Sequence, residues 1–180
     1  MLDLVHAESG SPSTKRPTVL ITGTTGWLGK LLAEALVADG SVRVLGIARR
    51  PTDIEGVESL QADLSTGAGL EDALSGRRID TCVHLAGAAG WATLPQALEV
   101  NVNGTRRLLD ALLPLGCRRF VIASSIAAIG TGTPSHPPPR FPIPDEEAYQ
   151  GYPWPYALSK AQVQQPPLAP QLRSHRSLRR

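Results

Sequence analysis

Cysteine is almost missing from this chain: 180 residues contain Cys82 and Cys117 and no others. Both sit in apolar settings, Thr-Cys-Val and Gly-Cys-Arg. Two such thiols exclude a disulfide framework, and they are expected to be reduced and buried, which points to a cytoplasmic protein. No apolar run approaches the length of a membrane span. Residues 1–17 are polar and carry acids, without the basic start and apolar middle of a secretory signal, and are expected to be a flexible leader. A formal net charge of +2 gives no reason to expect a nucleic-acid or membrane partner. There are no internal repeats, and no cluster of ligand-type side chains suggests a metal.

What the chain does have begins at Thr18. Thr18 to Ile21 are apolar or β-branched with no polar alternation, the pattern of a strand buried on both faces. Gly23, Gly26 and Gly29 follow at the spacing Gly-x-x-Gly-x-x-Gly, and Leu28, Leu31, Leu32, Ala35 and Leu36 then recur at helical spacing. Strand, glycine turn and helix make the phosphate-binding half of a dinucleotide site. N–H groups at a helix N-terminus face the pyrophosphate, and the helix dipole favours its charge. Gly23 would permit the tight turn, Gly26 the close approach of the backbone, and Gly29 the packing of helix on sheet. A Walker-type phosphate loop is excluded, because Leu31 follows Gly29-Lys30 where Ser or Thr is required.

Further strands are expected at Val42 to Ala48, Val57 to Ala62, Thr81 to Leu85 and Arg119 to Ser124. Helices are expected near Trp27 to Ala38, Ala68 to Leu74, and Leu94 to Leu113, the last stopped by Pro114 and Gly116. This alternation predicts an α/β fold, a Rossmann-type doubly wound parallel sheet with right-handed crossovers and ligands beyond the strands' carboxyl ends. The domain spans 18–165. Thr131 to Tyr156 holds most of the prolines, a loop long enough to be functional or disordered. A short helix starts at Pro155 and is broken by Pro166-Pro167. Residues 166–180 are rich in Pro and Arg, lack any acid, and are expected to be disordered.

Tyr156 and Lys160 stand four apart and share a helix face, where an ammonium stabilises a phenolate. Ser124 and Ser125 end the last strand, on the same edge as the glycine loop. With these residues on the page, the chain resembles the extended branch of the short-chain dehydrogenase/reductase superfamily, the NAD-dependent epimerase/dehydratase family. Thr22-Gly23-Thr24-Thr25-Gly26-Trp27-Leu28-Gly29 resembles its cofactor fingerprint, and Asp63-Leu64 its adenine-side pair. His84-Leu85-Ala86-Gly87, Asn101-Val102-Asn103-Gly104-Thr105, Ser124-Ser125…Gly130 and Tyr156-Ala157-Leu158-Ser159-Lys160 resemble four further motifs, in the family's order.

The resemblance implies Tyr156 as general acid/base, Lys160 as the residue that holds the nicotinamide ribose and lowers the tyrosine pKa, and Ser125, rather than Ser124, as the hydrogen-bond donor to the substrate oxygen. It implies a cofactor site of Gly23, Thr25, Gly26, Trp27, Leu28, Gly29, Arg49, Arg50, Asp63, Leu64, Leu85, Ala86, Gly87 and Asn101, together with Tyr156 and Lys160. Asn101 would distort its helix or hold a water. His84 lies near the cofactor by family position but is otherwise an ordinary structural histidine, and His136 and Asp145-Glu146-Glu147 are expected to be solvated. NADP is expected, with NAD second, because Ala48-Arg49-Arg50 stands where an NAD site places an acid. A small-molecule substrate follows, a sugar nucleotide, steroid or similar, and a homodimer is left open. The family implies an oxidoreductase, epimerase or dehydratase. The family's two later strands and its substrate-pocket chain have no counterpart here, so the resemblance implies a sheet incomplete at its C-terminal end, and an inactive cofactor-binding product is the competing expectation, with a sensor of cofactor redox state as a variant of it.

Overall fold

The computed structural model describes residues 16–89, 91–129 and 154–164. Gly130, most of the proline loop with His136 and Asp145-Glu146-Glu147, most of the leader and the whole 166–180 tail lie outside the described residues.

Five strands form one parallel sheet in the order β3-β2-β1-β4-β5. They are β1 (Thr18–Thr22), β2 (Arg43–Ala48), β3 (Val57–Gln61), β4 (Thr81–His84) and β5 (Arg119–Ile122). β1 is central, and Thr22 pairs with Ile47 on one side and His84 on the other. Strand order reverses between β1 and β4, the crevice where doubly wound sheets bind ligands. All five residues of β1 are buried, as its unbroken apolar run required.

The helices are α1 (Trp27–Asp39), α2 (Leu70–Leu74), α3 (Leu94–Ala97), α4 (Gly104–Leu112) and α5 (Pro155–Val163). One face of the sheet packs Leu20, Leu45, Ile47 and Cys82 against Leu70, Leu74, Leu108 and Leu112; the other packs Val19, Ile21 and Val44 against Ala33, Leu32 and Leu36. Both thiols are free and buried, and burial pushes both up, so neither is a nucleophile at neutral pH.

Two details differ from the sequence expectation. The helix expected as one unit over Leu94 to Leu113 is interrupted by a π-helical stretch, Leu98–Asn103. Thr93 opens α3 with a capping box to Gln96 and Pro95 stands in the first turn, so the start is well defined and the irregularity is internal. The last strand also ends at Ile122, before the serines. No helix among the described residues is long and apolar enough to cross a membrane, and no group of three or more His, Cys, Asp or Glu among them could hold a metal.

Candidate functional site

The glycine loop leaves β1 through Gly23, whose φ of +77° is a left-handed conformation. Its N–H donates to Ile47 O at 3.0 Å, and a Cβ there would lie 2.9 Å from Ala86 N. The loop is thus wedged between β2 and β4. Gly26 donates to Gly23 O at 2.9 Å and caps α1 in extended conformation with no side chain over the helix end. The N–H groups of the first turn are therefore left for a ligand. Gly29 acts differently from the expectation. A Cβ on it would stand 2.2 Å from Gly23 O and 3.0 Å from Thr24 Cα, so this glycine seats α1 on the loop's own backbone rather than on the sheet.

Thr24, 1 % exposed, fills the space left by Gly46, the one glycine of β2, which the sequence reading did not single out. A Cβ on Gly46 would meet Thr24 Cγ2 at 2.9 Å and Val57 Cγ1 at 3.0 Å.

A cleft of about 360 Å³ opens at the carboxyl edge of the sheet. Of the residues expected there, Gly23, Thr25, Gly26, Arg49, Asp63, Leu64, Leu85, Ala86 and Gly87 line it. Trp27, Leu28, Gly29, Arg50, Asn101, Tyr156 and Lys160 do not, and Trp27 is 79 % exposed. Ile47, Ala48, Ala62, Ser65, Ala88 and Val100 line it without having been foreseen. The first three are at strand carboxyl ends, where the doubly-wound rule would have found them; Val100 carries no sequence signal.

Asp63 Oδ1 accepts from Ser65 N (2.8 Å) and Ser65 Oγ (2.6 Å). The Ser65 hydroxyl is the main reason its carboxyl sits below the usual range, with the Arg49 charge adding a smaller part against partial desolvation. Asp63 is thus a carboxylate at the cleft wall. Arg107 on α4 fixes the same turn by donating to Leu64 O (3.2 Å) and Ser65 O (2.7 Å).

Pro155 stands in the first turn of α5, behind an extended Trp154. Lys160, one turn on from Tyr156, is 8 % exposed, and its Nζ donates to Ala123 O at 2.8 Å. That Nζ is 5.9 Å from the Tyr156 ring centroid and would be 3.6 Å from a Cβ on Gly87. The ammonium therefore lies between the ends of β4 and β5, and burial lowers its pKa. Asn101, in the π-helical stretch, is 2 % exposed. Its Oδ1 accepts from Ala88 N (2.7 Å), and its Nδ2 donates to Ala88 O (3.2 Å) and Ser159 Oγ (2.9 Å). Ser124 Oγ pairs with Gln164 Nε2, whereas among the described residues Ser125 Oγ accepts only the N–H of Ala127, at 3.2 Å, and keeps its own proton to give.

His84 is buried, with Nδ1 2.7 Å from Thr22 Oγ1 and Nε2 2.9 Å from Thr105 Oγ1. Burial first, and then the Lys160 charge, push its pKa from 6.5 to about 4. Between those values the unfolded chain binds the proton that the folded chain refuses. Stability conferred by a neutral His84 is complete above pH 6.5 and is lost as pH falls toward 4, by up to about 3 kcal/mol. Urea unfolding at steps between pH 7 and 4 should show this loss in the wild type and a flatter profile in His84→Gln; equal profiles would count against a neutral, buried imidazole.

A family model for the NAD dependent epimerase/dehydratase family matches residues 19–166. Ceramide reductase of Caulobacter vibrioides is 38 % identical over 119 residues, covering 63 % of this chain and 36 % of that protein. UDP-glucose 4-epimerase 4 of Oryza sativa subsp. japonica is 31 % identical over 166 residues, covering 82 % and 44 %. A short-chain dehydrogenase/reductase superfamily protein from Agrobacterium tumefaciens, solved with bound NAD, superposes with a TM-score of 0.67 at 34 % identity over 81 % of this chain and 42 % of that one. The chain thus spans about 36–44 % of the length of these curated relatives. By the extent of the family match and the shared glycine-loop fold, the chain belongs to the NAD dependent epimerase/dehydratase family.

Proposed function

We propose that this chain supplies the cofactor cleft and acid/base helix of an oxidoreductase or epimerase/dehydratase acting on a hydroxyl or carbonyl group of a small molecule. The observation that carries this reading is Lys160: a nearly buried ammonium, held by Ala123 O beside Gly87, one helical turn from Tyr156. Burying a charge is costly, and its placement at the cleft's end gives it a chemical use. It stands 5.9 Å from the ring centroid of Tyr156, whose hydroxyl can exchange a proton with a substrate hydroxyl or carbonyl oxygen. Ser125 has a free hydroxyl proton to donate to that oxygen. Hydride exchange at the substrate carbon is the chemistry that a bound nicotinamide supplies. The cradle fits such a group: the first turn of α1 is uncapped, and Gly23 and Gly29 have no room for a Cβ. A relative aligned over 82 % of this chain, a UDP-glucose 4-epimerase, puts a sugar nucleotide first among substrates. The two buried free thiols support a cytoplasmic setting.

The cofactor of this reading is NADP rather than NAD. Arg49 lines the cleft at the end of β2. The next acid, Asp53, faces a different groove, with Lys30, Glu34 and Val37. Gln61 Nε2 donates to Arg49 O at 3.0 Å and pins the main chain there. A guanidinium at this place suits a 2′-phosphate through charge-assisted bonds. In fluorescence titrations NADPH should bind more tightly than NADH. Arg49→Ala should weaken NADPH by about 10–100-fold, the size of a lost charged hydrogen bond, and leave NADH nearly unchanged. Arg50→Ala should matter less, because Arg50 is outside the cleft. Tighter NADH binding, or no weakening in Arg49→Ala, would overturn the NADP assignment.

A further inference from the structure

The hydrogen bonds around His84 admit one assignment of protons. Thr22 Oγ1 accepts from Leu85 N at 3.1 Å and Ala86 N at 3.0 Å. Both hydroxyl lone pairs are then taken, so the Thr22 proton goes to His84 Nδ1, 2.7 Å away. Nδ1 is an acceptor, so the ring proton is on Nε2 and is donated to Thr105 Oγ1 at 2.9 Å. Thr105 passes its own proton to Asn101 O at 2.6 Å. Asn101 Nδ2 continues to Ser159 Oγ, which donates to Tyr156 O at 2.8 Å. Every link has one donor and one acceptor, from the cleft wall to the helix of Tyr156 and Lys160. The carbonyl of Asn101 is in the π-helical stretch, where helical pairing is irregular, and the Thr105 hydroxyl satisfies it.

We propose that His84 is a positioning residue: a neutral imidazole, protonated on Nε2, that ties the Leu85–Ala86 wall of the cleft to the π-helical turn of Asn101 and so sets the cleft in register with α5. The proposal rests on the reading of that cleft as a cofactor site. A protonated imidazole could not serve, since Nδ1–H would face a hydroxyl whose lone pairs are both occupied. The neighbours of the ring are Thr22 from β1, Thr105 from α4 and, from α5, Lys160, the charged group among the described residues that acts on it. Its positive charge opposes protonation in the same sense as burial.

The test compares Thr22→Val with Thr22→Ser. Valine keeps the shape and loses the hydroxyl; serine keeps the hydroxyl and loses a methyl at a fully buried site. The network predicts that Val is the worse change: NADPH affinity about tenfold weaker than in Ser, as for a buried donor left unpaired, with faster amide exchange at Leu85, Ala86 and Ala88. A role in packing alone predicts the reverse order, and that result would overturn the proposal. If Thr22→Val does not fold, Thr105→Val against Thr105→Ser gives the same comparison. Imidazole ¹⁵N spectra of the cofactor-free protein at pH 7 should show the neutral Nε2–H form. An Nδ1–H or doubly protonated ring would overturn the proposal even with every variant folded. Should the wild type bind neither NADPH nor NADH, the proposed function fails by itself, while the tautomer and the amide exchange still decide the part assigned to His84.

Discussion

If the proposed function holds, replacing Tyr156 by Phe is expected to lower turnover by about 10²–10⁴-fold, the usual contribution of a positioned general acid/base, or by more. The change removes one oxygen and leaves the rest of the helix alone. The ring keeps its place beside Trp154, 5.3 Å away between centroids, and α5 keeps Ala157, Ser159 and Ala161 buried. Stability and cofactor affinity should therefore be nearly unchanged, so that the loss falls on kcat. Lys160→Ala should behave differently. It removes the ammonium bound to Ala123 O and opens a gap beside Gly87, so both cofactor binding and rate should suffer. Steady-state kinetics on a sugar-nucleotide substrate, UDP-glucose first, with parallel NADPH titrations, would separate the two. Near-normal turnover in Tyr156→Phe would remove the tyrosine from the chemistry.

The parts of the fold that depend on local pattern were readable from the sequence. Val19 to Ile21 had to be a central strand because they are apolar without alternation, and Leu20 and Ile21 are fully buried. The glycine spacing located the crevice, and the family resemblance supplied nine of the residues that line the cleft. Features that depend on distant partners were not readable. His84 looked like an isolated histidine because Thr22 and Thr105 are 62 and 21 residues away. The π-helical stretch is one irregular turn, and nothing local in the run from Leu94 to Leu113 marks its place. Gly46 gave no turn signal, because its purpose is to accommodate Thr24 from the glycine loop. Likewise, Arg49 and Arg50 are equivalent as letters, and only the direction of the chain after β2 sets one of them in the cleft.

Gly29→Ala is expected to destabilise the protein by about 2–3 kcal/mol and to weaken cofactor binding by more than tenfold, against what helix propensity suggests. In an ordinary helix interior the change would gain about 1 kcal/mol. Here the new Cβ would stand 2.2 Å from Gly23 O and 2.8 Å from Gly23 C. Those are backbone atoms, unable to swing aside as a side-chain end can. Gly23 is itself held by its bond to Ile47 O and by the closeness of Ala86, so the loop cannot retreat. The first turn of α1 must move instead, which adds overpacking of about 1–3 kcal/mol or more and tilts the uncapped N–H groups away from the cleft. For a domain of this size, 2–3 kcal/mol corresponds to a fall in Tm of about 5–12 °C. Gly40→Ala is the control. Gly40 has φ +70°, but a Cβ there meets nothing within 4 Å, so the cost is backbone strain alone, about 1 kcal/mol, and the cleft is untouched. Thermal melts with NADPH titrations on both variants decide the matter: a Gly29→Ala protein as stable as the wild type, with unchanged NADPH affinity, would mean that the third glycine does not set the distance between helix and loop.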